Sequence, residues 1–379
     1  MTEKGIYSIK PIKLTDIEYL GNLGTDAIQT DYILSKLITQ NILYSAYHKP
    51  LTISEIAEKL SIEPFIAEEE VNFLAKNGFM EKIAAEKYQT NMYIADIPDE
   101  TSEIMHALYV KFAENICKNY IPLVFEQLKD YDPKRFYTPN NDFNFLMWAM
   151  SMFACNKKIE NLEAESKLNQ HFVIRADGTE NIAYTALVKD FNNSFNKEIY
   201  KSYLAVEHEF TAEDLYPIKT WQFNTYYDNR LDGWGRSISI DSAILYSFMI
   251  NTELNVWGME ELLNDLYKKN ILCKNDKTTY VNMVVSAMPI NELADFLLPL
   301  PEEIIVQKNE LDKKIFELVK PYCPERLQES CKLLYQNSLS HKAIKVRVLE
   351  QLLSKGILQP IKDNQKHTVN MILFSEKLP

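Results

Sequence analysis

Glycine is what this chain most lacks. Nine glycines in 379 residues is about 2%, against an average near ~7%. Loops that cradle phosphate need glycine for positive φ and for close backbone approach. The chain has one Gly-x-Gly, at Gly233–Gly235, so most nucleotide-dependent enzyme classes are disfavoured. The five cysteines, Cys117, Cys155, Cys273, Cys323 and Cys331, are irregularly spaced and form no Cys-x-x-Cys. That set indicates neither a disulfide framework nor a zinc site, and free thiols fit a reducing cytoplasm. Long uncharged runs are missing too. The best stretch, Phe143 to Cys155, falls short of the ~18 residues of a membrane span and reads as a buried helix. The opening Met1-Thr2-Glu3-Lys4-Gly5 has no apolar core behind its charges, so no signal peptide is expected. The expected location is cytoplasmic, with no membrane partner.

Positive charge is in deficit, with 41 Lys+Arg against 53 Asp+Glu. That balance argues against a coat that wraps nucleic acid along its whole length, but leaves room for one local basic patch. With 46% apolar residues the chain is an ordinary globular one, long enough for two to four domains at ~100–200 residues each. Catalytic signatures are missing as well. His208-Glu209 lacks the second histidine of a zinc-protease helix, and there is no Gly-x-Ser-x-Gly. The six histidines, His48, His106, His171, His208, His341 and His367, are scattered. A Ser–His–Asp set assembled in space would leave no spacing signal. No catalytic residue, metal ligand or cofactor is assigned.

Residues 26–97 carry the clearest local pattern. Ile33, Leu37, Ile38, Ile42 and Leu43 recur at helical spacing and stop before Pro50. Thr52-Ile53-Ser54-Glu55 is a capping box that opens a helix burying Ile56, Ala57 and Leu60. Pro64 suits the first position of the next helix, which buries Val71 and Leu74 and stops at Asn77-Gly78. Phe79 to Ile83 and Lys87 to Ile94 then read as two strands around a polar tip, Ala84-Ala85-Glu86.

Leu51 to Leu60, then Leu74-Ala75-Lys76-Asn77-Gly78-Phe79, then Tyr88-Gln89-Thr90 together resemble the winged helix-turn-helix superfamily of transcription-regulator type. The resemblance covers about 70 residues. It implies that the helix from about Pro64 to Asn77 would enter a DNA major groove. This sequence departs from that pattern. Glu63, Glu68, Glu69 and Glu70 sit in or beside the helix, and segment 50–95 has four lysines against eight glutamates. Phosphates would repel it.

Three segments repeat a common pattern. Glu70 to Met80 leads to Asn91-Met92, Glu261 to Leu272 leads to Asn282-Met283, and Leu349 to Leu358 leads to Asn370-Met371. Each ends a helix at Gly or Asn, which best tolerate a left-handed cap. Each is expected to continue as a hairpin whose second strand carries Asn-Met. In the third unit Leu311, Ile315, Leu318 and Val319 make one stripe, Pro324 opens a second helix, and Ser340 would cap a third. The middle unit, with an apolar helix from Ala243 to Ile250, is one helix short. Residues 326–379 hold nine Lys+Arg and four Asp+Glu, so the positive charge collects in the third unit. Ser340, His341, Lys342, Lys345 and Arg347 on the helix, with Lys362, Lys366 and His367 in the hairpin tip, are the expected nucleic-acid contacts. A solvated lysine face is the alternative.

Between the units, His171 to Arg175 and Ile182 to Val188 flank Asp177-Gly178 as a hairpin would. Asp99 or Thr101 would cap one long helix through Leu128, and Phe143 to Glu160 is another. Trp221, Tyr226, Tyr227, Asp228, Arg230 and Trp234 fall close together, with Asp232 and Arg236 among them. They would line a pocket for a ligand or peptide, or else belong to a sheet with Asp228–Arg230 or Asp232–Arg236 paired at its surface.

The expected fold is α+β, mainly α, with several winged-helix units and a small antiparallel β-rich middle region. The expected partition is an arm (1–25), an acidic winged-helix unit (26–97), a helical connector (98–165), the β-rich region (166–236), a degenerate unit (237–290), a linker (291–308) and a basic winged-helix unit (309–379). The leading functional expectation is a non-enzymatic transcription-type regulator touching DNA through the basic unit. The alternatives are a protein-interaction or self-association module without DNA binding and a small-molecule methyltransferase. Methyltransferases of that kind begin with a similar winged-helix dimerisation domain, but no glycine-rich cofactor loop follows residue 98 here.

Overall fold

The computed structural model describes residues 11–14, 18–22, 34–83, 86–129, 131–159, 162–175, 178–188, 207–211, 218–223, 244–249, 259–275, 278–366 and 368–379. The architecture is α+β and mainly α, with several small sheets. Two compact units are each assembled from three chain segments: Met1–His106, Asn161–Tyr203 and Asp312–Ser340 in the first, Ala107–Glu160, Leu204–Leu311 and His341–Pro379 in the second. The stretch 309–379, expected as one domain, is therefore shared between them.

The first unit begins with β1 (Glu18–Asn22) and α1 (Leu37–Ser45). β2 (Leu51–Thr52), α2 (Ile53–Leu60) and α3 (Pro64–Lys76) follow, then β3 (Met80–Lys82) and β4 (Lys87–Thr90). The capping box forms in full: the Glu55 amide donates to Thr52 Oγ1 at 3.2 Å and the Thr52 amide to Glu55 Oε2 at 2.7 Å. These two bonds satisfy amides that a helix start leaves without partners. α3 starts on Pro64, whose missing N–H costs nothing there. The strands make an antiparallel sheet in the order β2-β4-β3, with Leu51 opposite Tyr88 and Met80 opposite Thr90.

The strand expected from Lys87 to Ile94 is two strands in two sheets. At Asn91 the chain leaves β4, and β5 (Tyr93–Ala95) joins a second sheet. That sheet is centred on β8 (Glu180–Ala186), which pairs antiparallel with β1 and with β7 (Val173–Ile174), and parallel with β5. Gly178 takes φ +82° in the turn between β7 and β8.

The single helix expected through Leu128 is α4 (Asp99–Asn119) and α5 (Ile121–Lys129). Pro122 explains the break, because it has no N–H for the carbonyl four residues back. α6 (Phe143–Ile159) buries every residue from Phe145 to Asn156. α7 (Leu162–Leu168), α8 (244–249) and α9 (Met259–Lys268) precede the hairpin β11 (Leu272–Lys274) and β12 (Thr279–Val281). The main sheet of the second unit runs β6-β13-β14-β10-β9, comprising β6 (Phe136–Tyr137), β9 (Glu207–Thr211), β10 (Ile218–Phe223), β13 (Val284–Ser286) and β14 (Met371–Ser375). Ile218, Leu245, Leu266, Val281, Met283 and Leu373 share its core. α10 (Ile290–Phe296), α11 (Glu302–Val319), α12 (Gln328–Leu334) and α13 (Ser340–Ser354) complete the helices named here.

The first two repeat segments close with the same hydrogen bonds. The Phe79 amide donates to Leu74 O and the Ile271 amide to Leu266 O, both at 2.9 Å. The Asn91 amide donates to Phe79 O at 2.7 Å and the Asn282 amide to Ile271 O at 2.8 Å. The asparagine side chains reach back to Gly78 O (3.4 Å) and Asn270 O (3.0 Å). Gly78, Asn270 and Gly356 all have positive φ, at 74°, 55° and 66°. The third segment keeps the helix-stop bond, the Ile357 amide donating to Leu352 O at 2.9 Å, but beyond it the pattern fails, and the described residues of 358–370 form no strand. The main chain of Gln359 is held instead by α6: its amide donates to Asn144 Oδ1 at 2.9 Å, and its carbonyl accepts from Trp148 Nε1 at 2.9 Å and Asn144 Nδ2 at 3.1 Å. Pro360 next to it has no N–H to offer a ladder.

Candidate functional site

The expected phosphate site at Ser340 depends on a helix start, and there is none. The backbone stays helical from α12 through a π-turn (Tyr335–Leu339) to the first residue of α13, where Ser340 has φ −62° and ψ −38°. Its neighbours are not at the surface. His341, Lys342, Lys345 and Arg347 are all buried, Lys345 with 1% of its surface exposed, and Ser340 is fully buried. The Lys345 ammonium makes a long donation to Asn156 Oδ1 at 3.5 Å. Arg347 Nη1 donates to both oxygens of Glu350, at 3.0 and 2.9 Å. The His341 ring stands 3.0 Å from the Cys155 carbonyl, and burial pushes its pKa down to about 4. The carbonyl bond opposes that shift, while Lys308, Lys342 and Lys157 add to it.

Of the tip residues, Lys362 is exposed and lies 3.3 Å from Asp142 Oδ2, and Lys366 lies 2.7 Å from Asp363 Oδ1. His367 lies outside the described residues. Phosphate binding needs cations that reach solvent, so five of the eight expected contacts are placed where a phosphate cannot reach them.

Trp221 of the aromatic cluster is 2% exposed and packs edge-to-face on Phe153, ring centroids 5.1 Å apart. It belongs to the core. Tyr226, Tyr227, Asp228, Arg230 and Trp234 lie outside the described residues, as do Asp232 and Arg236.

The surface that stands out is on α3. Its inner face buries Ala67, Val71 and Leu74. Its outer face exposes Phe65, Glu69 and Phe73, four residues apart and so aligned along the helix, beside a second row of Glu68, Asn72 and Lys76. Phe65 is 66% exposed and Phe73 36%. The sequence held the signal. The two phenylalanines fall out of step with the buried positions 67, 71 and 74.

Burial pushes the Cys117 thiol up to about 12 and raises those of Cys155, Cys273 and Cys331 as well, the opposite of a reactive thiolate. Among the described residues no group of three His, Cys, Asp or Glu could hold a metal ion, and no helix is long and apolar enough to cross a membrane. No protein-family model, curated protein or solved structure matches the chain.

Proposed function

We propose that the chain is a non-enzymatic winged-helix protein whose third helix, α3, docks a protein partner rather than DNA. The order helix, strand, helix, helix, strand, strand and the β2-β4-β3 sheet support the winged-helix reading. The observation that carries the docking role is the outer face of α3, where a DNA reader would present cations. Here two exposed rings alternate with carboxylates, with Lys76 alone as counterweight. Exposed aromatics at the centre of a patch are the usual anchors of protein interfaces. Glu68 and Glu69 select a partner that offers apolar pockets rimmed by Lys or Arg. They also disfavour an isologous contact with a second copy, which would set like charges together. A transcription-type role would then run through that partner and not through the stretch 340–347.

The test compares the tagged full-length wild type with Phe65→Ala/Phe73→Ala in the source cells, and both with random-sequence duplex DNA in vitro. The expected result is one discrete co-purifying protein, lost in the variant, with an unchanged unfolding midpoint and no duplex binding at 150 mM salt, roughly physiological ionic strength. Duplex binding that weakens steeply with salt, with no partner lost in the variant, would overturn the reading.

A further inference from the structure

The first unit contains a partly enclosed cavity of about 200 Å³ that the docking face does not use. Its polar wall is Arg326, Glu81, Asn91, His171, Tyr93 and Ser330. Arg326 follows Pro324 on a short 3-10 turn, Glu325–Leu327. Three quarters of its side chain is buried, yet its nearest acceptors are distant. Nη1 stands 3.6 Å from Glu81 Oε2 and 3.4 Å from Asn91 Oδ1. Both distances exceed the 2.7–3.2 Å of a sound N–H···O bond. Burial is the largest influence on Arg326 and pulls its pKa below the ordinary value, against the opposing pull of Glu81. A planar fork of donors has thus been taken partly out of water without the bidentate carboxylate that usually accompanies it. Glu81 is 60% exposed and can turn away into solvent.

Val173, Ile182 and Leu327 supply an apolar wall to the same cavity. At ~30 Å³ per water, the space holds roughly seven waters, which suits an organic acid of about four to six carbons.

We propose that this cavity binds a small carboxylate, its carboxylate group on the Arg326 guanidinium and its short apolar body against Val173, Ile182 and Leu327. The inference does not depend on the docking role of α3.

Calorimetric titration of the full-length protein with hexanoate, 1-hexanol, hexylamine and inorganic phosphate tests it. Hexanoate is expected to bind saturably, with the alcohol and the amine at least about tenfold weaker and phosphate not competing. Arg326→Gln should weaken hexanoate at least about tenfold. Glu81→Gln, at an exposed position, should tighten it several-fold by removing the competing carboxylate. Hexanol binding as well as hexanoate, or phosphate binding in its place, would overturn the proposal. So would unchanged affinity in a folded Arg326→Gln. If that variant does not fold, Glu81→Gln decides alone, and affinity that stays level or falls would overturn the proposal.

Discussion

His341 lies among cations in the second unit and accepts no charge of its own. A carbonyl can only accept a hydrogen bond, so the nitrogen facing Cys155 O carries a proton in either charge state, and it is burial that favours the neutral ring. Its folded pKa of about 4 lies below the ordinary 6.5, so the unfolded chain takes up a proton that the folded chain refuses. Stability is complete above about pH 6.5 and is lost as pH falls toward 4, by on the order of 3 kcal/mol. His341→Gln should flatten the urea-unfolding free energy across that window relative to wild type. Parallel curves for the two proteins would contradict the assignment. Lys345 gives a second test at this scale. Lys345→Glu reverses a buried charge, removes its bond to Asn156 and should cost on the order of 3–5 kcal/mol. Lys362→Glu, at a solvated pair, should cost within about 1 kcal/mol. Equal urea midpoints for the two variants would return Lys345 to the surface. The burial was legible in principle. Ala343, Ile344, Val346, Val348 and Leu349 fall on every side of α13 and are all buried, and apolar positions spread round a helix mark an interior one even where basic residues interleave. A charge count over residues 326–379 is blind to that.

At the scale of elements, the helix stops explain both what the repeat preserves and what it loses. A Cβ on Gly78 would stand 2.5 Å from Val173 Cγ1, while a Cβ on Gly356 meets nothing within 4 Å. Both glycines have positive φ, which costs other residues about 1–2 kcal/mol. Gly356→Ala should cost only that, and Gly78→Ala distinctly more, measured as unfolding free energy. Equal losses would mean that the Val173 contact is not constraining. Asn270, at φ +55°, shows that the stop itself admits asparagine, so Gly356→Asn should be tolerated. These stops, the capping box and α1 to α3 were legible because each rests on local chemistry within a few residues. The hairpin expected after Gly356 was not, because Asn144 and Trp148 claim Gln359 from more than 200 positions away. The split of Lys87 to Ile94 into β4 and β5 was hidden in the same way: β5 answers to β8, far along the chain.

At the scale of the molecule, the sequence presents contiguous blocks while the fold builds each unit from three separated segments. Composition along a line carries no signal for such interleaving, which is why the stretch 309–379 looked like one basic domain. Of its expected contacts, Lys342, Lys345 and Arg347 turn inward and Lys362 and Lys366 pair with Asp142 and Asp363, while the chain as a whole carries a net charge of −12 and presents an aromatic and acidic helix face on α3. That combination favours a basic protein over a polyanion. The most direct measurement is photo-crosslinking in cells from a benzoylphenylalanine placed at Phe65 or at Phe73, with the same group at exposed Ile305 as control. A single discrete protein adduct from 65 and 73, absent from 305 and lost with Glu68→Lys/Glu69→Lys, is predicted. Adducts to nucleic acid from the α3 positions, or the same smear of products from all three sites, would contradict the account.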